Sequence, residues 1–317
     1  MRLRPLALLS TVAVSALLLA GCSGSTEPSP TSSSDSSSAA DLCEQSAAPG
    51  AVSEGVKVEG DFGKPATASF KLKQDVKELQ RTVFSEGDGG AVGEGDYVEY
   101  ALSAFDAATG ERLGDLGYED GQMLPQNVLS NPTLVQVIGC ATIGSRITAA
   151  FPAQEGGAGA QVYVVDVLRK VPTAAWGEPQ KSTAGLPTVE LAKDGQPEVA
   201  ISDGDAPKDL KIAVLKEGDG AEVADGDTTL LQYYGVDWAD GKSFDSSWKN
   251  GEPISLPGNT YVPGFVQALA GQKVGSQVLV VIPPALGYGE DPEAHELGGK
   301  TLVFVIDILG TQHVAAE

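Results

Sequence analysis

Apolar residues in the C-terminal part of the chain follow the pattern of β-strands. β-Branched, aliphatic and aromatic residues, bounded by Gly, Pro or Asp, form runs at positions 228–234, 277–282 and 301–309. One short helix is expected at 264–270, where Phe265 and Leu269 fall on the same face and Gly271 is suited to end the helix. Several strands with a single short helix predict an α+β domain built on an antiparallel sheet.

The chain contains an internal repeat. A Glu-Gly-Asp-Gly turn at 86–89 recurs at 217–220, and later matches keep the same offset of 131 residues through position 152. The offset then becomes 141, because Val-Val-Asp-Val-Leu at 164–168 corresponds to Val-Ile-Asp-Ile-Leu at 305–309. The second copy therefore has ten additional residues within 285–300. The repeat predicts two domains of one fold, at 41–171 and 172–317, with 171–207 either a linker or the opening strand of the second.

The first residues are typical of an export signal. Arg2 and Arg4 precede an apolar stretch at 6–19, which is shorter than the about 20 apolar residues of a transmembrane helix. Leu-Ala-Gly-Cys at 19–22 resembles the lipobox of bacterial lipoproteins. We therefore expect 1–21 to be a lipoprotein signal peptide and Cys22 to carry the lipid. The alternative is an ordinary cleaved signal peptide with an incidental cysteine.

Residues 22–40 are rich in serine and have almost no large apolar side chain. Such a segment buries too little surface to fold, and we interpret it as a disordered tether. A lipid on Cys22 would hold the folded part at a membrane surface. The expected location is therefore extracytoplasmic, with the protein lipid-anchored to the cell membrane.

Charge and cysteine content limit the partners and ligands that can be expected. The chain has 43 acidic and 21 basic residues, a net charge of −22, which argues against nucleic acid as a partner. If Cys22 is lipidated, Cys43 and Cys140 remain as a pair, and in an exported protein we expect them to form a disulfide. The two histidines and the cysteines lack ligand-like spacing, so neither a metal site nor a cofactor is expected.

Five motifs in the second repeat occur in the order and with the spacing of a known family. They are Gln-Tyr-Tyr-Gly at 232–235, Asp-Gly-Lys-Ser-Phe-Asp-Ser-Ser at 240–247, Val-Pro-Gly-Phe at 262–265, Gly-Tyr-Gly at 287–289 and Thr-Leu-Val-Phe at 301–304. Together they resemble an FKBP-type peptidyl-prolyl cis-trans isomerase over roughly 209–310. The resemblance implies two FKBP-like domains, each a five-stranded antiparallel sheet wrapped around a short α-helix.

The resemblance also implies an apolar pocket between the sheet and the helix. Its expected catalytic residues are Tyr233, Phe244, Asp245, Phe265, Tyr288 and Phe304. Its expected substrate-binding residues are Ile254, Tyr261 at the rim, Val262 and, less directly aligned, Leu297. Phe265 would form the floor under a proline ring, and Tyr288 would donate a hydrogen bond to a substrate carbonyl. Asp245 would either act on the rotating carbonyl or orient Tyr233.

The reaction explains these residue types. Rotation about an X–Pro bond meets a barrier of about 18–20 kcal/mol that arises from amide resonance, and no bond is broken. No nucleophile or general base is needed. A twisted amide is less polar at its carbonyl than a planar one, so a dry apolar pocket favours the transition state.

The first repeat lacks the polar groups of this pocket. At the constant offset, Leu102, Leu113, Gly114 and Leu134 stand where the second repeat has Tyr233, Phe244, Asp245 and Phe265. The ten residues around Tyr288 have no counterpart. We therefore expect 41–171 to keep the fold without catalysis, and to bind unfolded chains or to hold the second domain away from the membrane.

Three functions are compatible with this sequence. The first is a foldase that isomerises prolyl bonds in proline-containing segments of exported proteins at the outer face of the membrane. The second is a non-catalytic prolyl-binding chaperone or adaptor that uses the same pocket. The third is a lipoprotein receptor for a small ligand. Retention of Tyr233, Asp245 and Tyr288 in the second repeat favours the first.

Overall fold

The computed structural model describes residues 42–202, 204–258 and 260–314. The expected signal peptide at 1–21, the expected tether at 22–40 and Cys22 lie outside these residues. We refer to residues 42–171 as the first half and to residues 172–314 as the second half. Among the described residues, no helix has the length and apolar character needed to cross a bilayer.

The first half contains a six-stranded antiparallel sheet. Its strands are β3 (Gln80–Ser85), β4 (Tyr97–Asp106), β5 (Arg112–Leu116), β6 (Gln126–Asn127), β7 (Arg146–Phe151) and β8 (Gln161–Val171). The order is β3-β7-β8-β4-β5, and β6 also pairs with β4. Helix α2 (Pro132–Val137) packs on one face, and its N-cap Asn131 accepts a hydrogen bond from the Thr133 amide. The shorter elements that precede this sheet are α1 (Ala51–Glu54), β1 (Lys57–Glu59) and β2 (Thr67–Ser69).

The second half contains a seven-stranded antiparallel sheet. Its strands are β9 (Glu178–Pro179), β12 (Lys211–Glu217), β13 (Thr228–Asp237), β14 (Ser243–Ser246), β15 (Ile254–Pro257), β16 (Gln277–Ile282) and β17 (Leu302–Gln312). The order is β14-β13-β17-β16-β12-β9, and β15 also pairs with β13. Helix α3 (Pro263–Leu269) packs on this sheet and starts with Pro263, whose missing N–H has no partner to lose there. The expectation of five strands was wrong, because the short strands β6, β9 and β15 extend both sheets.

The face of each sheet opposite the helix is covered by a β-hairpin. Strands β1 and β2 form one hairpin, and β10 (Thr188–Leu191) and β11 (Pro197–Ala200) form the other. Val189 and Val199 of the second hairpin pack on Trp238 and other side chains of the sheet. Residues 172–207 therefore contribute both an edge strand, β9, and this cover to the second half.

In each half, a buried aspartate on the last strand connects the sheet to the residues that precede it. In the first half Arg146 and Asp166 form a buried ion pair with Nε–Oδ1 and Nη2–Oδ2 distances of 2.6 and 2.7 Å. Asp166 also accepts a hydrogen bond from the Gly63 amide. In the second half Asp307 accepts hydrogen bonds from the Gln277 side chain at 2.7 Å and from the Ala175 amide at 2.8 Å.

A disulfide joins Cys43 to Cys140, with Cα atoms 4.9 Å apart. It ties the helical residues 42–45 to the turn that follows α2. Leu42, beside the bridge, is fully buried in the core of the first half. The bridge therefore fixes the start of the described chain to the helix side of the first sheet.

The two sheets are separate, and both belong to one compact unit of the chain. A small apolar cluster lies where they meet, with Tyr97, Leu124 and Val171 from the first half and Leu230 and Leu309 from the second. Arg169 lies 5.5 Å from the centre of the Trp176 ring and is paired with Glu99. A division into two domains at residues 171 and 172 stays a prediction.

Candidate active site

Three aromatic rings form the centre of the candidate site in the second half. Phe265 lies on α3, Phe304 on β17 and Tyr233 on β13, with Phe265 and Phe304 centroids 5.2 Å apart and perpendicular. The Tyr233 ring is 6.3 Å from Phe265 and 6.2 Å from Phe304. The sheet register places Tyr233 and Phe304 on adjacent strands, with Gly235 opposite Phe304. The sequence-predicted floor and two of its walls therefore meet.

Phe244 completes this wall and explains a glycine. Its ring packs edge-on against Phe304 at 5.4 Å. A Cβ atom on Gly235 would lie 2.7 Å from the Phe244 ring and 2.9 Å from the Phe304 ring. No larger residue fits beneath two aromatic rings. In the first half, where Leu113 and Tyr163 replace the two phenylalanines, the equivalent position is Ala104.

Asp245 is held by two hydrogen bonds. The Tyr233 hydroxyl donates to Oδ2 at 2.6 Å, and the Ser246 amide donates to Oδ1 at 2.8 Å. Burial, together with the hydrogen bond to Asp245, raises the pKa of Tyr233 far above its usual value, so this phenol stays protonated as a donor. The structure therefore connects Asp245 directly to Tyr233.

Two residues beside Tyr233 belong to the site although the sequence reasoning gave them no role. The Ser247 hydroxyl accepts a hydrogen bond from the Tyr233 amide at 2.8 Å and donates to Gln232 Oε1 at 2.6 Å. Both side chains are buried. They fix the backbone that carries Tyr233. Gln232 and Ser247 lie within two of the five motifs, at 232–235 and 240–247, and this was the sequence signal that could have assigned them to the site.

Tyr261 does not lie only at the rim. Its ring centroid is 4.7 Å from Phe265 and 6.4 Å from Tyr233, and Phe265 has no exposed surface at all. Burial raises the pKa of Tyr261 above its usual value. The floor of the pocket is thus covered by Tyr261 in this conformation.

Tyr288 lies in the loop that has no counterpart in the first half. Its ring stacks on His295 with centroids 4.2 Å apart and planes 9° apart. Nδ1 of His295 accepts a hydrogen bond from the Leu297 amide at 3.0 Å. Leu297 is buried in the same core as Phe265 and Phe304. The loop is therefore fixed to the pocket wall through Leu297 and presents Tyr288 at its edge.

The remaining expected residues surround this centre. Ile254, on β15, and Val262, at the N-cap of α3, are partly buried and pack on the core cluster that contains Phe265. Nine of the ten residues assigned from the resemblance therefore lie in or against one cluster, and the tenth, Asp245, is joined to it through Tyr233. Within 42–202, 204–258 and 260–314, no group of three or more His, Cys, Asp or Glu side chains is arranged to hold a metal ion.

Comparisons with known proteins match the second half. A family model described as FKBP-type peptidyl-prolyl cis-trans isomerase matches residues 220–309. The chain is 39% identical over 114 residues to the "Probable FK506-binding protein" of Corynebacterium glutamicum, covering 36% of this chain and 97% of that relative. It is 46% identical over 83 residues to "Peptidyl-prolyl cis-trans isomerase Mip" of Chlamydia trachomatis, covering 26% of this chain and 34% of that protein. A solved structure, FkpA from Escherichia coli, is 30% identical, with a TM-score of 0.31 and coverage of 41% of this chain and 53% of that one.

The antiparallel sheet of the second half packs around a short helix, and a cluster of aromatic side chains lies between them. Together with the relatives above, this arrangement defines the class of protein as a prolyl isomerase. The chain belongs to the FKBP-type peptidyl-prolyl cis-trans isomerase family and is an enzyme of that type.

Proposed function

We propose that the chain catalyses prolyl isomerisation at the aromatic pocket of its second half, and that its substrates are proline-containing segments of exported proteins. The observation that carries the site is the convergence of Phe265, Phe304 and Tyr233, with Asp245 hydrogen-bonded to the last. This arrangement combines an apolar enclosure with one oriented carboxylate. Both are suited to an amide whose polarity changes as it twists.

The apolar environment of the pocket lowers the barrier to rotation about the X–Pro bond. A planar X–Pro amide is stabilised by resonance, and water stabilises its polar carbonyl further. Inside walls of Phe244, Phe265 and Phe304 that solvation is lost, whereas the twisted amide, with less charge on oxygen, loses less. A reduction of the barrier by about 5 kcal/mol would accelerate rotation by roughly 10³–10⁴.

Tyr288 and Asp245 orient groups at the pocket. Tyr288 donates a hydrogen bond to a substrate carbonyl at the pocket edge, a role that the stack of its ring on His295 supports. Because both oxygens of Asp245 are engaged by Tyr233 and Ser246, its role is to orient the Tyr233 ring and to hold a fixed negative charge beside the rotating bond. No proton needs to move in this reaction, and none of these groups acts as a base.

The location follows from the sequence and is part of the proposal. Leu-Ala-Gly-Cys at 19–22 and the Ser-rich 22–40 support an anchor on Cys22 at the outer face of the membrane. The Cys43–Cys140 disulfide supports an oxidising compartment, where such bonds persist. The division of labour is also proposed, with residues 41–171 as the non-catalytic domain and 172–317 as the isomerase domain.

Catalysis at this pocket is tested by measuring cis-to-trans isomerisation of a short X–Pro peptide by the whole chain. Asp245→Ala and Tyr288→Phe should each lower kcat/KM by about tenfold or more, the loss expected when one hydrogen-bonding group beside the reacting amide is removed. Asp240→Ala, the same change in an exposed turn nearby, serves as the control and should leave kcat/KM unchanged. Equal activity in all four proteins would place catalysis elsewhere.

The anchor is tested separately. Cys22→Ala should move the protein from the membrane fraction to the soluble extracytoplasmic fraction while the isomerase activity of the purified protein stays constant. If the variant still sediments with the membrane, the proposed anchor is wrong.

A further inference from the structure

The first half has an open apolar cavity of about 220 Å³ on the helix side of its sheet. Its wall includes Leu102, Leu134, Phe151, Tyr163 and Val165. Phe151 and Tyr163 meet edge-on at 4.8 Å, and the Tyr163 hydroxyl is hydrogen-bonded to Gln161. No charged residue lines the cavity. This composition fits an apolar ligand and excludes an ionic one.

The cavity occupies the position that the isomerase pocket has in the second half. Leu102, Leu134 and Tyr163 correspond in the repeat to Tyr233, Phe265 and Phe304. The strand pairing confirms the equivalence, because Leu102 lies opposite Val165 as Tyr233 lies opposite Ile306. The first half has therefore kept the pocket while losing its polar groups.

Two local differences explain why this pocket is open. Ser130, which is exposed, stands where the second half has Tyr261, so no aromatic ring covers the floor. The loop between β7 and β8 spans only residues 152–160, whereas residues 283–301 separate β16 from β17. The counterpart of the Tyr288 loop is absent from the described first half. The first cavity is thus accessible where the second is covered.

An unpaired strand edge belongs to the same sheet as the cavity of the first half. Strand β5 ends the order of the first sheet, so that one of its edges has no partner among the described residues. Every residue of β5 is exposed, including Leu113 and Leu116 at 50% and 40%. In the repeat, Leu113 replaces the pocket residue Phe244. An exposed edge with apolar side chains adds an extended peptide by backbone pairing.

We propose that the first half is a second, non-catalytic binding site for an extended apolar segment of an unfolded polypeptide. One apolar side chain of that segment enters the cavity between Leu134 and Tyr163, and the flanking backbone follows β5. The strand edge favours a polypeptide over a small apolar ligand, which would use the cavity alone. Binding here raises the local concentration of the same client at the isomerase pocket. This inference goes beyond the isomerase activity and does not depend on the catalytic roles proposed above.

The test uses the whole chain and a fluorescent, unstructured peptide with leucine, phenylalanine and a photoreactive benzophenone side chain. Thr133 lines the mouth of the cavity and is exposed, so Thr133→Arg blocks entry without disturbing the core. Leu102→Trp fills the cavity from inside. Gln136→Arg places the same charge on an exposed position of the same helix, outside the cavity, and is the control.

The expected result is cross-linking to the first half in the unmodified protein and in Gln136→Arg. Thr133→Arg and Leu102→Trp should each weaken binding at that site by about tenfold or more. All four proteins should isomerise a short X–Pro peptide at the same rate, which separates this inference from the proposed catalytic site. Denaturant unfolding followed by circular dichroism should also be the same in all four, which shows that the first half of each variant is folded.

Four results would overturn it. Cross-links confined to the second half, or first-half cross-links equally strong in Thr133→Arg, would exclude the cavity as a peptide site. Self-association of the chain that Thr133→Arg abolishes would identify a second copy as the occupant. Cross-links from a benzophenone introduced into residues 22–40 of the chain itself would identify the tether as the occupant.

Discussion

Tyr261 covers the floor of the isomerase pocket, and its truncation should therefore improve substrate binding. Its ring lies 4.7 Å from Phe265, which has no exposed surface, and 6.4 Å from Tyr233. A proline ring that packs on Phe265 needs the space that Tyr261 occupies. The substrate thus binds only to molecules in which Tyr261 has rotated away. Tyr261→Val removes the ring and keeps the pocket apolar.

The size of the effect follows from the contacts that opening breaks. Each aromatic pair contributes about 0.5–1.5 kcal/mol, so that two pairs hold the covered state by about 1–3 kcal/mol. At about 2 kcal/mol, roughly 3% of molecules are open, and the apparent affinity is lowered by roughly thirtyfold. Tyr261→Val should accordingly lower KM by between about fivefold and about 150-fold. In the open state the Tyr261 ring has already left the pocket, so it does not contact the bound substrate. The variant should therefore change kcat by less than about twofold.

The assay is a protease-free measurement of X–Pro isomerisation that resolves KM from kcat, with direct titration of the same peptide to obtain Kd. Tyr261→Phe keeps the ring contacts and removes only the hydroxyl, so it is the matched control. Because those contacts hold the covered state, KM should change much less than in Tyr261→Val.

The sign of the change decides the question. If Tyr261 forms part of the binding surface and not its cover, Tyr261→Val will raise KM and Kd, and the reasoning above is refuted. An unchanged KM in a folded variant would show that the covered conformation is no more stable than the open one.

Three other predictions concern stability, measured by denaturant unfolding. Burial raises the pKa of Asp307, so the folded state binds more protons than the unfolded state between the unfolded pKa of about 4 and the raised folded pKa; over that interval the contribution of Asp307 to the free energy of unfolding should fall as pH rises, and Asp307→Asn should remove this contribution. The Cys43–Cys140 bridge closes a loop with a sequence separation of 97 residues, so a Cys43→Ser, Cys140→Ser double variant should lose about 2–5 kcal/mol in the first half. Circular dichroism should report that loss, whereas kcat/KM should not. Asp166→Ala leaves Arg146 buried and unpaired and should cost about 3–5 kcal/mol, whereas Arg146→Met with Asp166→Leu should be close to neutral; equal losses would contradict this view of the pair.

The sequence predicted the inner part of the second half well. The run at 277–282 coincides with β16, and the helix begins and ends one residue before its predicted bounds. Gly271 follows the helix with φ +76°, a conformation that glycine adopts without strain. These features depend on local residue types, which is why the sequence was sufficient. The pocket residues were accessible only through the resemblance, since nothing local distinguishes Phe304 from an ordinary core residue.

The hairpins on the outer faces were not predicted. Strands β10 and β11 are short and mostly exposed, with little apolar alternation. A signal was present in the partner sheet, because all six residues of β16 are buried. An antiparallel strand with one solvent face alternates, so an unbroken apolar run indicates cover on both faces. The position of Tyr261 depends on a loop conformation and a side-chain rotamer, and no sequence pattern specifies these.

The strand that ends each half lies inside its sheet and not at an edge. β8 joins β4 to β7, and β17 joins β13 to β16. Neither sheet can close until its final strand is available, whether the chain is leaving the ribosome or crossing a membrane. The first half can close when residue 171 emerges, while the second half waits for residues 302–312. A chain truncated before residue 302 would thus lose the connection between two parts of its sheet as well as Phe304, and should expose apolar surface to proteolysis rather than fold as a shortened enzyme.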